Sequence, residues 1–262
     1  MPAVSEKETF DLVLALGETM LSSGGEIFRT NAIMDCAARR FGLNECHVFT
    51  IANGIFLSAV VDGVHHSCQV RHIPLSPIQL DRVEAMNDLS RRIEAGESDP
   101  LETQAELARI RSLSGPGPLA QIVASGVGSA SFCFLFGGMW RDCGVALCAG
   151  FLLYLFLLFC CQPFRVGKVM SNILSSALVT LFCCCAFQLG AAPHLNRMII
   201  GAIFPLAPGV PLAISVRNFM ENDYLAGLVR LTDAVLTAGC IAVGVGCVIT
   251  AWNALTGGVV AL

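Results

Sequence analysis

Five long stretches without a single charged residue, 112–140, 143–164, 169–193, 198–216 and 234–262, fill the C-terminal part of this chain, with short charged joints between them. About 20 apolar residues in a helix cross the roughly 30 Å hydrocarbon core of a bilayer, so each stretch is long enough to span. With no water to satisfy backbone groups there, such stretches fold as helices. Charge is distributed accordingly. Ten of the 16 Lys+Arg and 16 of the 20 Asp+Glu lie before residue 118, so the mean hydropathy of +0.68 averages two dissimilar halves. The expected fold is a membrane all-α bundle of five transmembrane helices with an N-terminal soluble α+β domain. Its boundaries are 1–113 for the domain, 114–118 for a Gly/Pro linker and 119–262 for the bundle. Glu6, Lys7 and Glu8 precede a merely amphipathic segment, so no cleaved signal peptide is expected.

The basic residues of the joints suggest an orientation. Arg141 and Arg197 would face one side, and Arg165, Lys168, Arg217 and Arg230 the other, together with the ten Lys and Arg of the N-terminal region. That predicts a cytoplasmic N-terminus and a C-terminus outside.

In the N-terminal region, apolar residues at helical spacing predict one helix over 10–20 and another from Ile27 to Phe41-Gly42, broken at Ser23-Gly24-Gly25. Three β-rich runs, 47–52, 55–61 and 65–73, are separated by Asn53-Gly54 and Asp62-Gly63, dipeptides favoured in tight hairpin turns, and predict an antiparallel meander. Helical spacing returns over 77–94 and 100–111, with Ser98-Asp99-Pro100 as the start signal of the latter.

Of the thirteen cysteines, Cys148, Cys160, Cys161, Cys183, Cys184, Cys185 and Cys247 lie in apolar stretches, where a thiol packs as a small apolar residue. Cys36, Cys46 and Cys68 show no CxxC spacing, which argues against a disulfide framework and a zinc ribbon. His65, His66 and Cys68 fall on one predicted strand, where only His66 and Cys68 share a face, too few for a metal site. No metal, cofactor or nucleic-acid partner is expected.

Within the apolar half, the fourth stretch is the most informative. Pro205, Pro208 and Pro211, with Gly209 among them, remove backbone donors and predict a broken helix, which at membrane depth belongs in a protein interior or along a cavity. The segment after it, Arg217-Asn218 through Asp223 to Arg230 and Asp233, carries three of the four acidic residues found beyond residue 112. Arg230 and Asp233, three apart, share a helix face and are candidates to pair; a solvated loop with an interfacial ion pair is the alternative. Asn172, with Ser171, Ser175 and Ser176, gives the third stretch a polar stripe that either lines a path or bonds a neighbouring helix. The candidate pathway residues are thus Asn172, Pro205, Pro208, Gly209, Pro211, Arg217, Asn218, Asp223, Arg230 and Asp233.

These residues carry a resemblance. Leu16-Gly17-Glu18 through Gly24-Gly25-Glu26 to Arg29, Ala52-Asn53-Gly54-Ile55, Asn87-Asp88-Leu89-Ser90-Arg91, Gly201 to Gly209, Arg217-Asn218, Asn222 to Gly227 and Arg230 resemble the patterns of the threonine/serine exporter family. The resemblance covers nearly the whole chain. It singles out Gly25, Glu26, Arg29 and Asn53 in the N-terminal domain, with Gly25 where alanine is usual and Asn53 where threonine is frequent. The family includes long chains of about ten spans and a split form of two proteins, and this sequence is similar to the larger, domain-bearing half of the latter. What the resemblance implies is a secondary exporter in the bacterial inner membrane, for threonine and serine or for succinate and related dicarboxylates, working with a second small membrane subunit. A homo-oligomer is a further possibility. On that reading Arg217 and Arg230 collect a carboxylate and Asp233 exchanges a proton. No phosphate-cradling GxxxxGK[ST] motif is present, so no nucleotide drives the cycle. Two other readings stay open at this stage: a membrane-anchored sensor or enzyme, its candidate residues being Glu26, Arg29, His47, His65, His66 and His72, and a structural assembly subunit.

Overall fold

The computed structural model describes residues 5–61, 64–73, 78–164 and 166–256, without the side chains of 61 and 64–70. The chain divides into two compact units, Met1–Gly115 and Pro116–Leu262.

The first unit runs α1 (Glu6–Ser22), α2 (Ile27–Arg40), β1 (Asn44–Ile51), β2 (Gly54–Val61), β3 (Val64–His72), α3 (Leu80–Ala95) and α4 (Pro100–Ser112). Local chemistry explains the ends. Ser5 and Glu8 cap α1 reciprocally, Ser5 Oγ accepting from Glu8 N and Glu8 Oε2 from Ser5 N. Asp99 accepts from Glu102 N at 2.7 Å to start α4, with Pro100 in its first turn. Arg40 donates to the carbonyls of Ile93 and Glu94 and closes the end of α3.

The strands form an antiparallel sheet in the order β1-β2-β3. The first hairpin differs from the expectation. Ile51 pairs with Gly54, so the loop is Ala52-Asn53, and neither loop residue has positive φ. Gly54 sits inside the strand, where a Cβ would stand 3.3 Å from Arg71 O. The expected Asp62-Gly63 turn lies outside the described residues, as do the side chains of His65, His66 and Cys68. Leu16, Met20, Ile33, Met34, Ile55, Leu57, Met86, Leu89, Ile93 and Ile110 are fully buried in one core joining both helix pairs to the sheet. Gly17 permits the contact of α1 with α2: a Cβ there would fall 2.2 Å from Met34 Sδ.

The second unit contains α5 (Pro118–Leu135), α6 (Trp140–Phe156) extended by a π-turn at Leu157–Cys161, α7 (Lys168–Gln188), α8 (Leu195–Ile203) extended by a 3₁₀ turn at Phe204–Leu206, α9 (Gly209–Met220) and α10 (Tyr224–Thr256). Among the described residues four helices are long and apolar enough to cross a membrane, and the bent pair α8 and α9 gives a fifth if it is counted as one span. Gly137 and Gly190, both at positive φ, end α5 and α7. α10 begins ten residues before the last uncharged stretch. Its 33 residues extend about 50 Å at 1.5 Å per residue, longer than a hydrocarbon core. The segment from Tyr224 to Asp233 is therefore helical and continuous with the last span rather than a loop.

Small residues make the helix contacts. A Cβ on Gly150 would meet Ser129 Oγ at 2.4 Å, one on Gly201 would meet Cys133 Cβ at 2.6 Å, and one on Gly244 would meet Ser176 Oγ at 2.1 Å. Gly126 and Gly244 likewise pack against neighbouring helices, while around Gly128, Gly239 and Gly246 nothing lies within 4 Å. α7 is the most enclosed span, with 44% of its apolar window buried.

Candidate functional site

The prolines break the fourth span as their spacing predicts. α8 and α9 bend by 59°. Pro205 and Pro208 have no N–H to continue the α-helical ladder; Phe204 O is instead taken by Ala207 N in a 3₁₀ turn, and Ala207 turns extended. α9 then restarts at Gly209, so a helix N-terminus lies within the span, nine helical residues into it. Pro205 and Gly209 are exposed and Pro208 and Pro211 half-buried. Beside the break lies an open groove of about 580 Å³, bounded by Ile203, Ala207 and Pro208 on one side and by Ile241, Val245 and Ile249 of α10 on the other. Its lining is apolar except for Thr250, and of the candidate pathway residues only Pro208 contributes to it.

The charged candidates gather at one end of the bundle. Asp233 Oδ1 stands 2.5 Å from Lys168 Nζ at the start of α7. The expected Arg230–Asp233 pair is not formed within 4 Å; Asp233 is drawn to the neighbouring helix instead, and Arg230 is half-buried one turn away on α10. Lys168 was legible only as a joint charge, because its partner is 65 residues away in sequence. Asn172 lies one turn from Lys168 on α7, so both share a helix face. Ser171, Ser175 and Ser176 are buried: Ser176 Oγ donates to Ile173 O, and Ser175 Oγ has no partner among the described residues.

Arg217 pairs with Glu221 at 2.9 Å across one turn of α9. Asn218 is buried, and its carbonyl accepts from Asp223 N. Asn222 takes φ of +63°, a conformation Asn tolerates well, and ends α9. Asp223 Oδ1 accepts from Ala226 N at 3.1 Å and caps α10. Ser215 Oγ donates to Gly227 O, and a Cβ on Gly227 would fall 2.6 Å from the Phe219 ring. The Asn218-to-Gly227 pattern thus builds the tight α9–α10 corner that carries Arg217 and Arg230.

At the opposite end, the fully buried Asp142 accepts from Met139 N at 2.8 Å and from His194 N at 3.1 Å, and its Oδ2 is 2.9 Å from His194 Nδ1. Arg141 donates to Gly190 O, and Arg197 to Gly137 O. These contacts tie the first and third joints together; sequence reasoning passed over Asp142 and His194, although an acid at the mouth of a span followed by a joint histidine was the available signal.

The N-terminal candidates have local roles. Gly24, at φ of +80°, packs on Ile78, and a Cβ on Gly25 would meet Met20 O at 2.8 Å. Glu26 Oε2 accepts from Arg29 Nε at 3.2 Å, and Arg29 Nη1 reaches Asn87 Oδ1 at 3.4 Å, linking α2 to α3. Asn53 is exposed in the hairpin loop, and its carbonyl accepts from Ile73 N. Among the described residues no three His, Cys, Asp or Glu side chains gather as a metal site.

Comparison with known proteins agrees with this arrangement. The family model described as "Putative threonine/serine exporter" (ThrE) matches residues 11–252. A protein of Mycobacterium tuberculosis (strain ATCC 25618 / H37Rv), titled "Probable threonine/serine exporter", is 24% identical over 253 residues, covering 91% of this chain and 45% of its own length. The chain thus spans about half the length of that curated relative. No solved structure matches. The matched region takes in most of both units, and with its broken fourth span and helical, charge-bearing corner this multi-pass membrane chain belongs to the ThrE family of threonine/serine exporters.

Proposed function

We propose that this chain is one half of a secondary exporter of small carboxylates or amino acids, threonine and serine or succinate and related dicarboxylates, in the bacterial inner membrane. The break at Phe204–Pro208 carries the reading. A helix N-terminus inside a span carries partial positive charge and unpaired N–H groups, which suit a carboxylate, whereas a span serving only as an anchor gains nothing from being interrupted. Solute enters from the end held by Lys168, Arg217 and Arg230. A carboxylate arriving there competes with Asp233 for Lys168, and the released Asp233 takes up a proton. Asn172 continues the polar face inward from Lys168, and Pro205, Pro208, Gly209 and Pro211 hold the passage open at mid-membrane.

The first unit is a soluble cytoplasmic domain in this proposal, because its ten Lys and Arg and the Lys168–Arg230 end then share the cytoplasmic side. A second, small membrane subunit completes the pathway. Five spans and an apolar groove left open beside the break favour a partner bundle. The test is efflux of preloaded labelled succinate, threonine and serine from cells expressing this chain alone and with a candidate partner. Export only with both chains supports the split exporter and names the solute. Absence of export with both proteins in the membrane overturns it.

A further inference from the structure

A cleft of about 260 Å³ lies in the first unit and is lined by Glu18, Thr19, Ser22, His72, Ile73, Arg82 and Arg111. Both guanidinium groups are fixed on one side only. Arg82 donates from Nε to Leu113 O and from Nη2 to the carbonyls of Arg111 and Leu113. Arg111 donates from Nε to Thr19 Oγ1 at 2.8 Å and from Nη2 to Ala15 O, with Glu18 Oε2 at 3.7 Å. Neither Nη1 has a partner among the described residues. Each of the two tethered cations thus keeps one fork nitrogen without a protein partner among the described residues, and the Glu18 carboxylate stands 3.7 Å from Arg111 beside them.

We propose that this cleft binds a free α-amino acid, the ligand carboxylate taking the Nη1 groups of Arg82 and Arg111 and its ammonium taking Glu18, with Ser22 and His72 at the rim. The charge pattern distinguishes a zwitterion from a plain dianion, since a dicarboxylate or phosphate would meet the Glu18 carboxylate. The volume, about eight or nine water volumes, admits a small amino acid together with several waters. Because Arg82 holds the carbonyls of Arg111 and Leu113, occupancy stiffens the last turn of α4, directly before the segment that leads to α5. The site is separate from the export pathway and does not depend on it.

Hydrogen–deuterium exchange of the full chain in lipid nanodiscs tests this, with L-serine, L-threonine, succinate or inorganic phosphate added singly. The amino acids are expected to protect peptides covering 15–23 and 107–113. Glu18→Gln should weaken that protection about tenfold, as loss of one charge-assisted hydrogen bond does, and Ser22→Leu, which fills the cleft, should abolish it. Melting temperatures close to that of the parent chain establish that both variants fold. Protection by succinate or phosphate but not by amino acids overturns the zwitterion assignment. No protection by any of them, or protection unmoved by both substitutions, overturns the site.

Discussion

Gly244 and Gly246 are two residues apart on α10, yet they have opposite roles. A Cβ on Gly244 would meet Ser176 Oγ at 2.1 Å and Ile173 O at 2.5 Å, and backbone cannot give way cheaply; around Gly246 nothing lies within 4 Å. Gly244→Ala is therefore expected to destabilise the α7–α10 contact by about 1–3 kcal/mol. Gly246→Ala should be neutral or slightly stabilising, since alanine is the better helix former; melting curves in detergent separate the two. Sequence marked both glycines as small but not which one the neighbouring helix touches, because helical rotation depends on packing between distant segments. A second residue-scale effect is chemical. Burial first, and then nearby Asp35, push the Cys46 thiol up to about 11. Thiolate is the reactive form, so at pH 8 only about a thousandth of Cys46 is nucleophilic. Maleimide labelling followed by peptide mapping should find Cys46 slow at pH 8, its rate rising about tenfold per pH unit towards 11, and fast once the chain is denatured. Rapid labelling of the folded chain at pH 8 would contradict the half-buried placement.

Among the elements, the fourth span was the most legible, because proline acts through its own missing N–H and needs no knowledge of the rest of the fold. The same locality made the caps at Asp99 and Pro100 readable. The Asn53-Gly54 turn shifted by one residue because strand register is set by cross-strand packing of Ile55 and Leu57 into the core, which outweighs the turn preference of a dipeptide. The corner at Asn218–Gly227 was legible as a cluster of polar residues but not as a capped helix start, since Tyr224 to Arg230 continues the 33-residue α10 through charged positions. Two changes test what these elements do. Asp223→Ala removes the cap on Ala226 N and is expected to cost about 1 kcal/mol of stability. Replacing Pro205 and Pro208 together by alanine restores two backbone donors, straightens the fourth span and removes the mid-membrane N-terminus of α9. Efflux should then fall by about tenfold or more, the factor that goes with about 1.4 kcal/mol lost at a binding site, with the protein still in the membrane. Full efflux by that variant would leave the break with only a packing role.

Across the whole molecule, the contacts between joints carry information that no single stretch held. Arg141, Asp142, His194 and Arg197 meet at one end of the bundle, while Lys168 and Asp233 meet at the other, so alternate joints share an end as an up-and-down path requires. Counting charges in the joints predicts such an alternation but cannot identify the pairs, which join residues 52 and 65 positions apart. The Lys168–Asp233 pair then poses the question of whether it holds the bundle or moves the solute, and a double-mutant cycle answers it. Lys168→Met or Asp233→Leu alone leaves one charge without its partner at the edge of a membrane span, and both single variants should melt lower than the parent chain. The combined variant removes both charges and should melt close to the parent, because an ion pair replaced by apolar residues of similar size is often neutral for stability. If the pair is structural only, efflux returns with stability in the combined variant. If Lys168 receives the carboxylate and Asp233 the proton, stability returns and efflux does not, and this second result is the one expected from a charge pair placed on the same helix face as Asn172 and within a turn of Arg230.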